Sequence, residues 1–274
     1  MTRTFEIGAA RIGGPALFVI AGPCVVESAE LCLHVARTLQ AACVARDLPF
    51  VFKASYRKAN RSSVRSFEGL PMPEALAALE RVKREVAVPV LTDVHEPGEC
   101  AAAAEVADCL QIPAFLSRQT ALLQAAARTG RAVNVKKGQF LAPGDMRQVV
   151  EKIVSAGGER ILLTERGTSF GYHDLVVDMR SFPVMRELGW PVVYDATHSL
   201  QRPGGAETGG DRRFAGPLAR AAVACGVDGV FFETHPALER ALSDAATQLP
   251  LAEAGAFLDD LVRVHRALAE RAHA

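Results

Sequence analysis

Short apolar runs alternate with helix-like stretches along almost the whole chain, and this alternation limits the possible folds most. The runs are LFVIAG (17–22), FVFK (50–53), PVLTD (89–93), DCLQIP (108–113), AVNVKK (132–137), RILLTE (160–165), PVVYDATH (191–198) and DGVFFETH (228–235). Helical patterns follow them at about 28–46, 73–86, 97–106, 117–129, 143–156, 179–188, 217–225 and 251–272. Ser28 is the expected N-cap of the first, with Leu31 three residues on. The runs are apolar on both faces, as strands of a parallel sheet covered by helices must be. Eight such units in about 250 residues match an α/β fold, the (β/α)8 TIM barrel. A doubly wound open sheet is the competing arrangement, but no run is followed by a GxGxxG-type turn. Residues 1–274 are expected to form a single catalytic barrel domain. Two short extended pieces around Gly8 and Ala9 would make a hairpin across the barrel's N-terminal end.

Composition restricts function more than fold. The 31 Lys and Arg balance 31 Asp and Glu, so no global field favours nucleic acid or an anionic membrane, and any anion site must be local. No apolar run approaches the roughly 18 residues of a membrane helix. The N-terminal MTRTFEIGAARIGG lacks the apolar core and cleavage site of a signal peptide. The six cysteines form no CxxC pair and sit mostly in apolar settings, which suits buried, reduced thiols and a cytoplasmic location.

The end of the second run carries the densest chemistry. FKASYRKANRSS places Lys53, Arg57, Lys58 and Arg61 beside Ser55, Asn60, Ser62 and Ser63, with the cations on no single helical face. Cations combined with short hydroxyl and amide side chains suit an anion; a solvated basic loop is the alternative. Other strand ends favour the anion, because barrel function gathers where strands give way to loops. Cys24, Asp93 with His95, Gln111, Lys136, Glu165 with Arg166, Asp195 with His198, and Glu233 with His235 all stand there. Lys53, Lys136 and Arg166 would converge on one mouth with Lys58 and Arg61, which calls for phosphates, or a phosphate and a carboxylate.

A second set suits a divalent transition metal such as Fe, Mn, Zn or Co: the thiol of Cys24, the imidazole of His198 and the carboxylates of Glu233 and Asp244. Their spacing along the chain is no metal motif, and a lone Cys is more often a small buried hydrophobe. Barrel closure would make strands one, seven and eight neighbours. His95 and His235 precede Glu-Pro and Pro, and read as turn or supporting residues. The Gly-rich loop 199–216 reads either as a lid over the mouth or as a disordered insertion. LVVD within 166–178 reads as a packed return segment. Arg37, Arg46, Arg81, Lys83 and Arg84 read as solvated helix faces.

AGPCVVES, FKASYRKANRSS, TDVHEP, QIPAFLSRQT, NVKKGQF, LLTERGTSFGY, DATHSLQRPGG and FFETHP…ALSDAATQLPL stand in order from about Leu17 to Leu251. Together they resemble the 3-deoxy-D-manno-octulosonate 8-phosphate synthase family. KANRSS separates this resemblance from the related heptulosonate 7-phosphate synthases, whose loop has a Pro-Arg-Thr core. The resemblance implies condensation of phosphoenolpyruvate with D-arabinose 5-phosphate and water, a step in lipopolysaccharide precursor synthesis. Cys24 matches the metal-dependent branch, and His198, Glu233 and Asp244 match its other ligands. Lys53, Ser55, Lys58, Gln111, Ala114, Lys136 and Arg166 match contacts to phosphoenolpyruvate. Lys58, Asn60, Arg61 and Ser62 match contacts to the sugar phosphate. Phe115 and Arg118 match residues offered to a neighbouring subunit, which implies a homotetramer. Asp93 and Gln201 match further polar positions. By the same resemblance His198, Asp244, Lys58 and Asn60 are the candidate catalytic residues.

Some positions depart from that family's pattern. Arg57 stands where Asp is common, Tyr56 replaces Phe, Glu68 replaces Arg, and His173-Asp174 replaces Asn-Asn. A contact between Arg57 and Glu68 would make their changes a charge swap. The rival readings are a heptulosonate synthase using erythrose 4-phosphate, a sialic-acid-type synthase, and a sugar-phosphate-binding barrel without turnover.

Overall fold

The computed structural model describes residues 2–59, 67–204 and 209–272. Eight parallel strands form its centre: β1 (Phe18–Gly22), β2 (Phe50–Lys53), β3 (Val90–Asp93), β4 (Cys109–Ile112), β5 (Ala132–Lys136), β6 (Ile161–Glu165), β7 (Val192–Asp195) and β8 (Gly229–His235). Each pairs in parallel with the next, and β8 also pairs with β1, Gly229 opposite Phe18, which closes the ring. The expected (β/α)8 barrel is therefore present. Among the described residues, the α-helices around it are α1 (Ala29–Val44), α2 (Met72–Val86), α3 (Cys100–Val106), α4 (Thr120–Arg128), α5 (Met146–Val154), α6 (Ser181–Arg186), α7 (Ala215–Ala224) and α8 (Ala254–Ala272).

Local chemistry sets the helix ends. Ser28 caps α1, its Oγ accepting from Leu31 N–H at 3.1 Å. Helices α3, α5 and α8 begin later than the hydrophobic pattern predicts, because Pro97–Glu99, Pro143–Asp145 and Leu251–Glu253 take a 3-10 turn first. Helix α6 starts at Ser181 because Asp178 Oδ1 accepts from Arg180 N–H at 2.9 Å and holds a turn there.

Strand alternation divides the buried apolar residues into two clusters. Val19, Phe52, Leu110 and Val135 face the helices, whereas Phe18, Ile20, Val51, Leu91, Leu162, Val193 and Phe231 fill the lumen. Phe5–Ile7 and Ala10–Ile12 pair as an antiparallel hairpin, and Ile7, Ala10 and Ile12 join the lumen cluster. The expected hairpin thus closes the barrel's N-terminal end. Gly8 turns it at φ +55, and a Cβ there would lie 2.8 Å from Pro89 Cβ. Each large side chain in this floor contributes about 1.5–3 kcal/mol by leaving water, which helps the fold carry a charged mouth at the other end.

Gly22 ends β1 for a steric reason: a Cβ there would lie 2.0 Å from the Lys53 carbonyl oxygen. That close approach sets the start of the Cys24 loop against the lysine-bearing end of β2. Leu175–Val176 pairs with Thr168–Ser169 as a short hairpin, so the LVVD segment does pack back. In the loop after β7, Gln201–Arg202 pairs with Gly209–Gly210. The helix-face cations are not merely solvated. Arg46 forks onto Asp259 of α8 at 2.9 and 2.7 Å, and Lys83 reaches Asp108 at 2.7 Å.

Candidate active site

The two-residue period of the strands decides which polar side chains enter the mouth. Above the apolar floor, a hydrogen-bonded chain crosses five neighbouring segments. Ser55 Oγ donates to Asp93 Oδ2, and Gln111 Nε2 donates to Asp93 Oδ1 at 2.5 Å. Asn134 Nδ2 donates to Gln111 Oε1 at 2.8 Å, and Thr164 Oγ1 donates to Asn134 Oδ1 at 2.7 Å. Because every member is buried and satisfied, the chain fixes Gln111 and Asp93 in position.

Charge is concentrated on the other side of the lumen. Lys53 Nζ pairs with Glu233 Oε1 and donates to the Cys24 carbonyl at 3.0 Å. Lys58 Nζ lies 3.6 Å from the same Glu233 oxygen. Lys136 Nζ donates to Asp195 Oδ2 at 2.7 Å, lies 3.1 Å from His198 Nδ1, and sits 4.0 Å above the Phe231 ring. Asp195 Oδ2 also approaches His198 Nδ1 at 2.8 Å. Burial pushes the carboxyls of Asp93 and Glu233 upward, but Lys53 and Lys58 outweigh it and hold both below the usual range. Burial lowers Lys136, Arg166 and His198.

These groups open into a cavity of about 460 Å³. Lys53, Lys58, Asp93, Gln111, Ala114 and Phe115 line it, as do Lys136, Arg166, His198, Gln201 and Asp244. Arg166 is buried; its Nη2 donates to Gln201 Oε1 at 2.7 Å, while Nε and Nη1 have no partner among the described residues. A buried fork with two unused donors fits a planar or tetrahedral anion. Ser55 lies beneath Asp93 rather than on the cavity wall. Arg118 is exposed and outside the cavity, and Phe115 is 56 % exposed at its rim. Asn60, Arg61 and Ser62 lie outside the described residues.

Cys24, Glu233 and Asp244 form a second constellation, with one donor atom of each lying within 4.8 Å of the others. Sγ of Cys24 is 3.3 Å from Asp244 Oδ2 and 2.8 Å from Ser243 Oγ. The donor set fits a divalent ion. Glu233 Oε2 is buried and unpartnered among the described residues. Burial, Asp244 and Glu233 together raise the Cys24 thiol well above its usual value, a cost that a cation would reverse. His198 stands apart from this triad and meets it through Nε2, 3.6 Å from Glu233 Oε1. Asp244 holds a left-handed backbone at φ +45, in a loop anchored where Leu249–Pro250 pairs with Thr234–His235.

Glu165 is absent from the mouth, contrary to the strand-end reading. It lies one residue out of phase with Thr164 and Arg166, and its Oε1 lies 3.5 Å from Lys137 behind the barrel wall. Arg57 also departs from expectation. Its ion pair is with Glu99 at 3.4 Å, while Glu68 meets this segment through its carbonyl, which accepts from Lys58 N–H at 2.6 Å. Gln139, which no strand-end pattern marks, and His95, expected only as a supporting residue, both line the cavity. Gln139 sits inside the NVKKGQF segment, the one signal available for it. Asn134 and Thr164 were hidden within apolar strands, and only their inward phase marks them.

Fold and mouth together define a (β/α)8-barrel protein with a cation-lined cavity beside a cluster of three donors that could hold a metal ion. The sequence pattern of the DAHP synthetase I family matches residues 5–270. The chain belongs to that family. It is 55 % identical over 264 residues to the 2-dehydro-3-deoxyphosphooctonate aldolase of Trichlorobacter lovleyi, a match covering 95 % of this chain and 97 % of that protein. It is 52 % identical over 264 residues to the protein of the same name from Syntrophobacter fumaroxidans, covering 96 % of this chain and 92 % of the relative. The Cyanothece sp. protein of that name is 53 % identical over 258 residues, covering 93 % and 94 %.

Proposed function

We propose that this chain condenses phosphoenolpyruvate with D-arabinose 5-phosphate and water, giving 3-deoxy-D-manno-octulosonate 8-phosphate and phosphate for lipopolysaccharide precursor synthesis. The observation that carries the reading is buried Arg166, with two unpartnered donors in a cavity it shares with Lys58 and Lys136. Phosphoenolpyruvate brings a phosphate and a carboxylate, which those three cations neutralise. Lys53, Ser55, Gln111 and Ala114 complete its site in this reading. Lys58, Asn60, Arg61 and Ser62 hold the sugar phosphate, with Asp93 and Gln201 as further polar contacts.

In the reaction, C3 of phosphoenolpyruvate bonds to the sugar aldehyde carbon while water adds at C2. The tetrahedral product then loses phosphate by cleavage of its C–O bond. Holding the two substrates and water in line is the main task of the site. His198 and Asp244 are the candidate proton carriers: burial disfavours the charged form of His198, and Asp195 holds its Nδ1 side. Lys58 stabilises charge, and Asn60 orients the sugar. Cys24, His198, Glu233 and Asp244 would hold a divalent transition ion (Fe, Mn, Zn or Co), which supplies Lewis acidity and orientation beside the reacting atoms.

The proposal takes residues 1–274 as one catalytic domain of a cytoplasmic homotetramer, with Phe115 and Arg118 reaching a neighbour's sugar phosphate. The exposed Phe115 and Arg118 suit that contact, and the free cysteines suit a reducing compartment. Among the described residues, no helix is long and apolar enough to cross a membrane. The test is phosphate release from phosphoenolpyruvate with arabinose 5-phosphate, in chelator and after Mn is restored, beside erythrose 4-phosphate. Turnover with arabinose 5-phosphate that needs metal is expected. Preference for erythrose 4-phosphate would overturn the substrate, and activity surviving exhaustive chelation would overturn the metal.

A further inference from the structure

Tyr56, just past β2, and Glu99, in the turn before α3, face the same edge of His95. Tyr56 Oη lies 3.4 Å from His95 Nδ1, and Glu99 Oε2 lies 3.6 Å from it. The Tyr56 and His95 rings meet edge to face, 5.7 Å between centroids at 74°. Glu99 is itself held in place. Its Oε2 accepts from the N–H groups of His95 at 2.7 Å and Glu96 at 3.0 Å, and its Oε1 pairs with Arg57 at 3.4 Å. In the tautomer with its proton on Nδ1, that proton faces the Glu99 carboxylate and Tyr56 Oη, and Nε2 carries a lone pair.

That lone pair adds an acceptor to a cavity dominated by donors, where the buried Gln139 Oε1 is also unpartnered among the described residues. His95 lines the wall, and its Nε2 has no hydrogen-bond partner among the described residues. Asp93 takes Ser55 and Gln111, and Asp195 takes Lys136; Glu233 takes Lys53 through Oε1, while its free Oε2 belongs to the proposed metal cluster. Lys53, Lys58, Lys136 and Arg166 supply only donors. Phosphoenolpyruvate, ionised at neutral pH, offers an acceptor nothing. A polyhydroxy sugar offers several O–H groups, and His95 stands beside the Arg57–Ala59 segment, which leads toward the proposed sugar-phosphate loop. We propose that Tyr56 and Glu99 orient His95 so that Nε2 accepts a hydrogen bond from one hydroxyl of the sugar phosphate, making His95 a specificity-determining residue. This inference rests on the function proposed above.

The test compares wild type with Tyr56→Phe, His95→Gln and His95→Phe, using arabinose 5-phosphate and analogues that each lack one hydroxyl. His95→Phe should lower kcat/KM for arabinose 5-phosphate about tenfold to a hundredfold. It should leave phosphoenolpyruvate binding unchanged, which also verifies the fold. On one deoxy analogue it should cost nothing, because the bonded hydroxyl is already gone. His95→Gln keeps an acceptor and should recover most of the loss, and Tyr56→Phe should fall between. Equal losses on every sugar, parallel weakening of phosphoenolpyruvate, or no rescue by His95→Gln would overturn the inference. Wild-type turnover with arabinose 5-phosphate alongside any of these would leave the proposed function standing. Its absence would overturn both.

Discussion

Cys24 Sγ stands 3.3 Å from Asp244 Oδ2, although 220 residues separate them in the chain. Barrel closure makes this contact, since β1 and β8 are hydrogen-bonded neighbours and the two loops leave from their ends. A thiol facing two carboxylates is costly without a cation. Cys24→Ala is therefore expected to lower affinity for a divalent ion at least about tenfold, read by titration calorimetry. In wild type, loading should release about one proton per ion, because the raised thiol must ionise to ligate. Metal affinity should then rise with pH. Equal affinity in wild type and Cys24→Ala would remove Cys24 from the ligand set.

Arg166 should behave differently from a structural arginine. It is buried with two unpartnered donors, so the free protein bears its desolvation without full compensation. Arg166→Met should weaken phosphoenolpyruvate at least about tenfold, the worth of a charged hydrogen bond. Tm should hold steady or rise. A large fall in Tm with unchanged phosphoenolpyruvate binding would show that the guanidinium serves the fold.

Lys136 and Lys137 are adjacent but face opposite sides of the barrel wall. Lys136→Met should abolish most turnover while leaving the fold intact, because its ammonium lies in the cavity against Asp195. Lys137→Met should keep the cavity but cost about 3–5 kcal/mol of stability, because buried Glu165 loses its cation. Urea unfolding and steady-state kinetics on the two variants check both halves. Matching profiles would contradict the assignment.

Acid should destabilise the protein in a defined window. Asp93 and Glu233 have depressed folded values, set by Lys53 and Lys58 against the effect of burial. A depressed carboxylate contributes its stability above the unfolded value, about 4, and loses it as pH falls toward the folded value. Tm of the metal-free protein should therefore change little between pH 7 and 5 through these groups and drop below about pH 4. Scanning calorimetry across that range is the check. A Tm that climbs on acidification would mean that repulsion among the buried carboxylates exceeds their pairing with lysine.

Much of the site was legible because strand ends are marked locally. Lys53, Asp93, Gln111, Lys136, Arg166, Asp195 and Glu233 each follow an apolar run, and a barrel brings such ends to one mouth. His95 was read as supporting because the Glu-Pro after it signals a turn. What makes it a wall of the cavity is Tyr56 and Glu99, one of which comes from a different loop.

Eight strand–helix units, the Ser28 cap, the N-terminal hairpin and the cation-bearing strand ends can all be read from residue order alone. These follow from hydrophobic period and short-range hydrogen bonds, which act within a few residues. The folded barrel sets the rest: Glu165 leaves the mouth while Arg166 enters it, Arg57 pairs with Glu99, and Cys24, Glu233 and Asp244 meet. Those outcomes depend on strand phase and on ring closure between the first and last strands. Both are set by packing across the barrel, over distances that no local pattern encodes.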